Sequence, residues 1–138
     1  MIFGVGIDLA KCSRFEKWIQ SPEMTERFFN TKELWQARSG QDKSQPSSPA
    51  KTSAASQHYA ARFAAKEAFS KALGSGLVFD LRDLHIEKDA NGKPALILEK
   101  TALEALKKRC PKWKKAKIFV SLTHEKEYAA AQVIIEIP

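Results

Sequence analysis

The sequence predicts an α+β fold, in which an antiparallel sheet with hairpins packs on a long central helix. Three observations predict it. Residues 57–73 form one sustained helical pattern rich in alanine. Segments 84–88 and 95–98, and again 118–123 and 128–137, alternate and are joined by short polar stretches, so each pair reads as a hairpin. The first residues alternate with a period of two and add a strand. No repeat of fixed spacing is present, and 138 residues suit a single domain spanning 1–138.

The N-terminal run Met1-Ile-Phe-Gly-Val-Gly-Ile-Asp8 opens the chain as a strand. Alternation places Phe3, Val5, Ile7 and Leu9 on one face and Gly4, Gly6 and Asp8 on the other. Glycines there leave room for close approach of backbone or ligand. Ser13-Arg-Phe-Glu16 has the form of a capping box, which predicts a short helix over 13–20. Ser21-Pro22 starts a second, with Met24, Phe28 and Phe29 on its apolar face. Thr31 can cap a third, running through Trp35 and Arg38. Residues 39–56 lack periodicity and any large apolar side chain, so they read as a mobile loop.

The helix over 57–73 carries a small-residue stripe, Ala64, Ala65, Ala68 and Ala72, that lets another element pack closely. Phe63, Glu67, Ser70, Lys71 and Gly74 follow a neighbouring face, and Gly74 and Gly76 end the helix. Asp89-Ala-Asn-Gly-Lys-Pro94 is the turn of the first hairpin. Thr101-Ala-Leu-Glu104 reads as a capping box opening a helix to Arg109, stopped by Pro111. In the last strand Ala131, Val133, Ile135 and Ile137 alternate with Ala130, Gln132, Ile134 and Glu136.

Composition narrows the class. No apolar run approaches the roughly 20 residues of a membrane span. The N-terminus lacks the basic region of a signal peptide. Cys12 and Cys110 have no metal-site spacing and suit a reducing, cytoplasmic location. The net charge of +7 is concentrated: residues 100–117 carry eight basic groups against Glu104 alone. Such a patch attracts anions. It fits a small basic nucleic-acid module using the segment Lys107–Lys117 with Trp113 as a stacking residue. Cations complementing a helix C-terminus fit it better, since Lys107, Lys108 and Arg109 end the predicted helix.

The chemistry lies in a pair of carboxylates. Magnesium takes one or two carboxylates, keeps waters and uses substrate phosphates for its other ligands. Asp8 on the glycine face and Glu67 on the central helix supply that set, with Lys71 one turn beyond in reach of a phosphate. Glu67 and Lys71 also have the spacing of an ordinary i,i+4 ion pair.

The motifs together are more specific. Gly4-Val-Gly-Ile-Asp-Leu9, Arg62-Phe-Ala-Ala-Lys-Glu-Ala-Phe-Ser-Lys-Ala-Leu-Gly74, Asn91-Gly-Lys-Pro94, and Ser121-Leu-Thr-His124 followed by Tyr128-Ala-Ala-Ala-Gln-Val133 occur in this order over nearly the whole chain. They resemble the holo-acyl-carrier-protein synthases, the small 4'-phosphopantetheinyl transferases of fatty-acid synthesis. The resemblance implies magnesium-dependent transfer of phosphopantetheine from coenzyme A to a serine of apo-acyl carrier protein, releasing adenosine 3',5'-bisphosphate. It implies a homotrimer with sites at subunit interfaces.

By that resemblance Asp8 and Glu67 match the metal ligands. Arg62, Ser70, Lys71 and Gly74 match positions near the coenzyme A phosphates and pantetheine. Asn91, Gly92 and Pro94 match the adenine end. Glu67, Lys71 and His124 match the catalytic positions, with His124 also close to the phosphates. Arg14 matches the surface that grips the acidic carrier protein. Thr123 stands where the family commonly has serine, and the hydroxyl is retained. A catalytically silent, carrier-binding subunit is the other reading, and the retained carboxylates argue against it.

Overall fold

The computed structural model describes residues 1–35 and 48–138. Strand β1 spans Ile2–Lys11, and the short helices α1 (Glu16–Ile19) and α2 (Pro22–Phe28) follow a 3-10 turn at Cys12–Phe15. The central helix α3 covers Pro49–Leu73. Strands β2 (Leu84–Lys88) and β3 (Pro94–Leu98) precede helix α4 (Lys100–Arg109) and the hairpin of β4 (Lys117–His124) and β5 (Tyr128–Glu136). One antiparallel sheet has the order β1-β5-β4, and β2 pairs with β3 in a separate ribbon.

The sheet and α3 meet where both are stripped of side chains. A Cβ at Gly4 would overlap the carbonyl oxygen of Ala72, and one at Gly6 would overlap that of Ala68. The bare face of β1 thus receives the backbone of α3 itself, and Asp8 continues along it toward Lys71. Ala129, Ala131, Val133 and Ile135 of β5 line the same buried layer. The apolar face of β1 is the outer one: Val5, Ile7 and Leu9 are 54%, 64% and 65% exposed.

Ring packing fixes the α1–α2 corner. Trp18 lies between Phe15, Phe28, Phe29 and Phe63, with centroids 4.8 to 6.3 Å away. This burial shapes the corner more than capping does. The Ser13–Glu16 box does not form; Cys12 and Phe15 are buried in a 3-10 turn instead, with no side-chain cap.

Three further expectations change. Asn30, not Thr31, caps the next turn: its Oδ1 accepts from Lys32 N–H, and Glu33 accepts from Asn30 N–H. Residues 49–56 are helical rather than loop, with Ser48 as N-cap and Pro49 in the first turn. Ala55 and Ser56 are buried there, because small residues suffice where helix and neighbours approach closely. Arg38 and residues 39–47 lie outside the described residues. At α4 the Thr101–Glu104 box is absent; the Thr101 hydroxyl donates to Asp83 at 2.5 Å and accepts from Asp80 N–H at 2.9 Å.

Candidate active site

Helix α3 presents Glu67 and Lys71 to β1. Lys71 Nζ donates to Asp8 Oδ1 at 2.9 Å and to the Ile7 carbonyl at 3.0 Å. The ion pair of Lys71 therefore runs across elements to Asp8. Glu67 is held above the ordinary glutamate range, first by burial and then by the negative charge of Asp8; Lys71 and Arg14 oppose this. A neighbouring like charge disfavours ionisation of a carboxylate, as Asp8 does here. Arg14 joins this group because its guanidinium lies over the Phe63 ring, 4.8 Å from the centroid.

Among the described residues no cluster of three His, Cys, Asp or Glu exists. Two carboxylates suit magnesium, which completes its shell with water and substrate phosphate. They do not suit a structural zinc site, which needs four protein ligands.

A second group lies elsewhere. Arg62 and His124 line one cavity of about 480 Å³ with Trp35, His58, Lys88 and Leu122. Arg62 is buried and donates to the His58 carbonyl at 3.3 Å. In β4, Thr123 pairs with Ala130 and His124 with Ala129, so the two side chains face opposite sides of the sheet. Neither Asp8, Glu67 nor Lys71 lines this cavity. The remaining expected residues are also spread out. Ser70 is buried, its hydroxyl donating to the Glu67 carbonyl at 2.7 Å. Gly74 caps α3 at φ 69°. Asn91 and Gly92 form an exposed turn in which Asp89 Oδ1 accepts from Asn91 and Lys93 N–H; Gly92 has φ 81°. Pro94 pairs with Lys88, which links that turn to the cavity.

Sequence reasoning missed Trp35, His58 and Lys88. His58 and Trp35 enter through tertiary contacts that no spacing announces. Lys88 ends the predicted strand 84–88, and alternation there does not show that it lines the same cavity as Arg62.

The basic segment is tied locally. Lys107 pairs with Glu104 at 2.6 Å, and Lys107 and Lys114 lie over the half-buried Trp113 ring. Arg109 donates to the Gly74 carbonyl at 3.0 Å, and Lys112 to that of Pro138 at 3.1 Å. Half-buried and with lysines over it, Trp113 is a poor stacking platform, which weakens the nucleic-acid reading.

The chain belongs to the 4'-phosphopantetheinyl transferase superfamily, whose family model matches residues 4–133. Within it, the similarity is to holo-[acyl-carrier-protein] synthases. That of Treponema denticola is 47% identical over 137 residues, covering 99% of each chain. That of Bacillus subtilis is 38% identical, covering 99% of this chain and 97% of its own. The crystal structure of the Bacillus anthracis synthase in complex with CoA (3',5'-ADP) superposes with a TM-score of 0.73 at 31% identity, covering 100% of this chain and 99% of that one.

Proposed function

We propose a division of labour among these residues for the reaction of the synthases this chain matches. That reaction moves 4'-phosphopantetheine from coenzyme A to a serine of apo-acyl carrier protein and releases adenosine 3',5'-bisphosphate. The serine oxygen forms a bond to the phosphopantetheine phosphorus, the pyrophosphate bridge breaks, and the serine proton leaves. The full-length match supports the reaction. The placement of Asp8 on the face of β1 that meets α3, held by Lys71 one turn beyond Glu67, carries the residue assignment.

Asp8 and Glu67 would hold Mg2+, which when bound supplies divalent charge against the pyrophosphate. Lys71 holds Asp8 in place and offers a mobile ammonium to a phosphate oxygen. A carboxylate oxygen of Glu67 not engaged with the ion would take the serine proton. Arg62 and His124 in their cavity offer donors to the coenzyme A phosphates. Ser70 and Gly74 shape the helix end near pantetheine, and Asn91, Gly92 and Pro94 form the turn that receives adenine. Arg14, beside Glu67, contacts the acidic carrier.

Two observations support a homotrimer with sites completed between copies. The acidic group and the Arg62–His124 cavity are separate on one chain. The outer sheet face carries Val5, Ile7, Leu9 and Phe119 exposed, an apolar surface of the kind that marks protein contacts. Val5 and Phe119 both flank Ile134 in register. A single domain, acting in fatty-acid synthesis in the cytoplasm, fits two buried, unpaired thiols. Among the described residues no helix is long and apolar enough to cross a membrane.

Incubation with coenzyme A, apo-acyl carrier protein and magnesium, read by intact mass, tests the reading. A phosphopantetheine-sized gain on the carrier that vanishes with chelator is expected; a gain indifferent to chelator would remove the metal role. Light scattering should give three copies, and Ile7→Lys should dissociate them. A parent protein that runs as a monomer while fully active would end the interface reading.

A further inference from the structure

One charged pair is not used by this mechanism. Lys66 is 0% exposed, yet its ammonium is fully partnered: it donates to Glu33 Oε1 at 2.6 Å, to the Leu81 carbonyl at 2.8 Å and to the Leu84 carbonyl at 2.5 Å. Glu33 is buried equally deeply. Its second carboxylate oxygen accepts from Ile86 N–H at 3.2 Å, and its backbone carbonyl accepts from His58 Nε2–H at 2.5 Å. The pair thus ties the turn at Thr31–Glu33, helix α3 and strand β2 together at one point.

What it holds is the wall of the Arg62–His124 cavity. Two residues beyond Glu33, Trp35 N–H donates to Tyr59 Oη at 2.9 Å, and its ring meets the His58 ring edge-on at 5.3 Å. Trp35 and His58 both line that cavity. A buried ion pair is a poor source of net stability, because desolvation offsets its attraction. A fully satisfied one does fix geometry, since every alternative arrangement leaves a buried charge unpaired.

We propose that Lys66 and Glu33 are positioning residues for coenzyme A, locking the Trp35–His58 wall against α3 so that Arg62 and His124 meet the substrate preassembled. The inference rests on the reading that this cavity takes the coenzyme A phosphates. It predicts a selective defect: released from the pair, the wall loosens and coenzyme A binds less well, while the Asp8–Glu67 group and the Arg14 surface are untouched.

The test uses Lys66→Met/Glu33→Gln, which removes both charges while leaving Ile86 N–H an acceptor. Trp18→Phe and Trp113→Phe in parent and variant leave Trp35 as the sole tryptophan. In the parent, coenzyme A should quench Trp35. In the double variant Trp35 emission should move to the red, and the KM for coenzyme A should rise about tenfold, a modest loss beside the roughly hundredfold that a 1 Å misplacement can cost. Turnover at saturating coenzyme A and the KM for carrier should stay within about twofold, separating lost binding from lost chemistry. If the double variant fails to fold, Glu33→Asp, which keeps both charges and shortens the tie, decides on the same readouts. Unchanged Trp35 emission and unchanged KM for coenzyme A in a folded variant would overturn the proposal, as would an equal loss across turnover and both KM values. If parent Trp35 is not quenched although transfer is seen by mass, the cavity reading itself fails, and the inference with it.

Discussion

Helix α3 carries two lysine–carboxylate pairs only five residues apart, and they do opposite work. Lys66–Glu33 is wholly buried, at 2.6 Å, with every visible donor satisfied by protein. Lys71–Asp8 faces solvent, at 2.9 Å, with the lysine side chain about half exposed. The first cannot move without stranding a charge, so it serves geometry. The second can exchange its partner for a phosphate at little cost, so it serves chemistry. Ion-pair geometry alone does not separate them; burial does.

The largest effect should come from breaking the exposed side. Asp8→Ala or Glu67→Ala should lower transfer by about 10²–10³-fold, as loss of a preorganised electrostatic group does. Circular dichroism should stay at parent shape, because neither carboxylate supports the core. Near-parent transfer in either folded variant would remove that residue from the metal site.

The comparison predicts stability in the reverse order. Lys66→Met alone leaves Glu33 buried without its cation and should cost about 3–5 kcal/mol. Lys71→Met removes an exposed pair and should cost about 0–1 kcal/mol. Denaturant melts of the two variants check this directly. Equal losses would show that the two pairs do not differ in kind.

The carrier surface offers a smaller test. Arg14 stands beside the acidic group, whereas Lys112 is tied to the chain end and Lys114 to Trp113. Arg14→Glu should raise the KM for carrier about tenfold, as a lost charge-assisted contact of ~1.4 kcal/mol would, with coenzyme A barely affected. Neutralising Lys112, Lys114 and Lys115 together should do less. A larger effect from the triple change would move the docking site to the basic segment.

Much of this was legible in the sequence where one residue type has one use. Gly4 and Gly6 announced a close approach, and Ala68 and Ala72 announced its partner; the structure seats them on each other. Gly74 announced the helix end. The start of α3 was misread because residues 49–56 are small and polar, and small residues carry no periodic signal even where they are buried. The Ser13 and Thr101 boxes were misread because tertiary burial and the Asp83 carboxylate outcompeted local capping. Lys66 and Glu33 could not be paired from sequence at all. A lysine in a helix reads as solvated until a distant turn closes over it, and their contact spans 33 residues.

The smallest effect concerns protons on the exposed side. Glu67 has a raised proton affinity in the fold, from burial first and from Asp8 second. The folded state therefore binds more protons than the unfolded chain in the interval just above the ordinary glutamate value. Stability falls as pH rises through that interval, and the penalty is complete once Glu67 is ionised in both states. Glu67→Gln keeps the shape and removes the charge. Without metal it should melt slightly higher than the parent at pH 7, and the two should converge as the medium is made acidic enough to protonate Glu67. Magnesium should reverse the order: it stabilises only a protein that binds it when folded, so the parent should gain and the variant should not. Melting curves at several pH values, with magnesium and with chelator, read both effects. A variant that melts below the parent in chelator at pH 7 would mean that Glu67 is stabilised by its surroundings. The exposed side of α3 would then be built for structure, like the buried one.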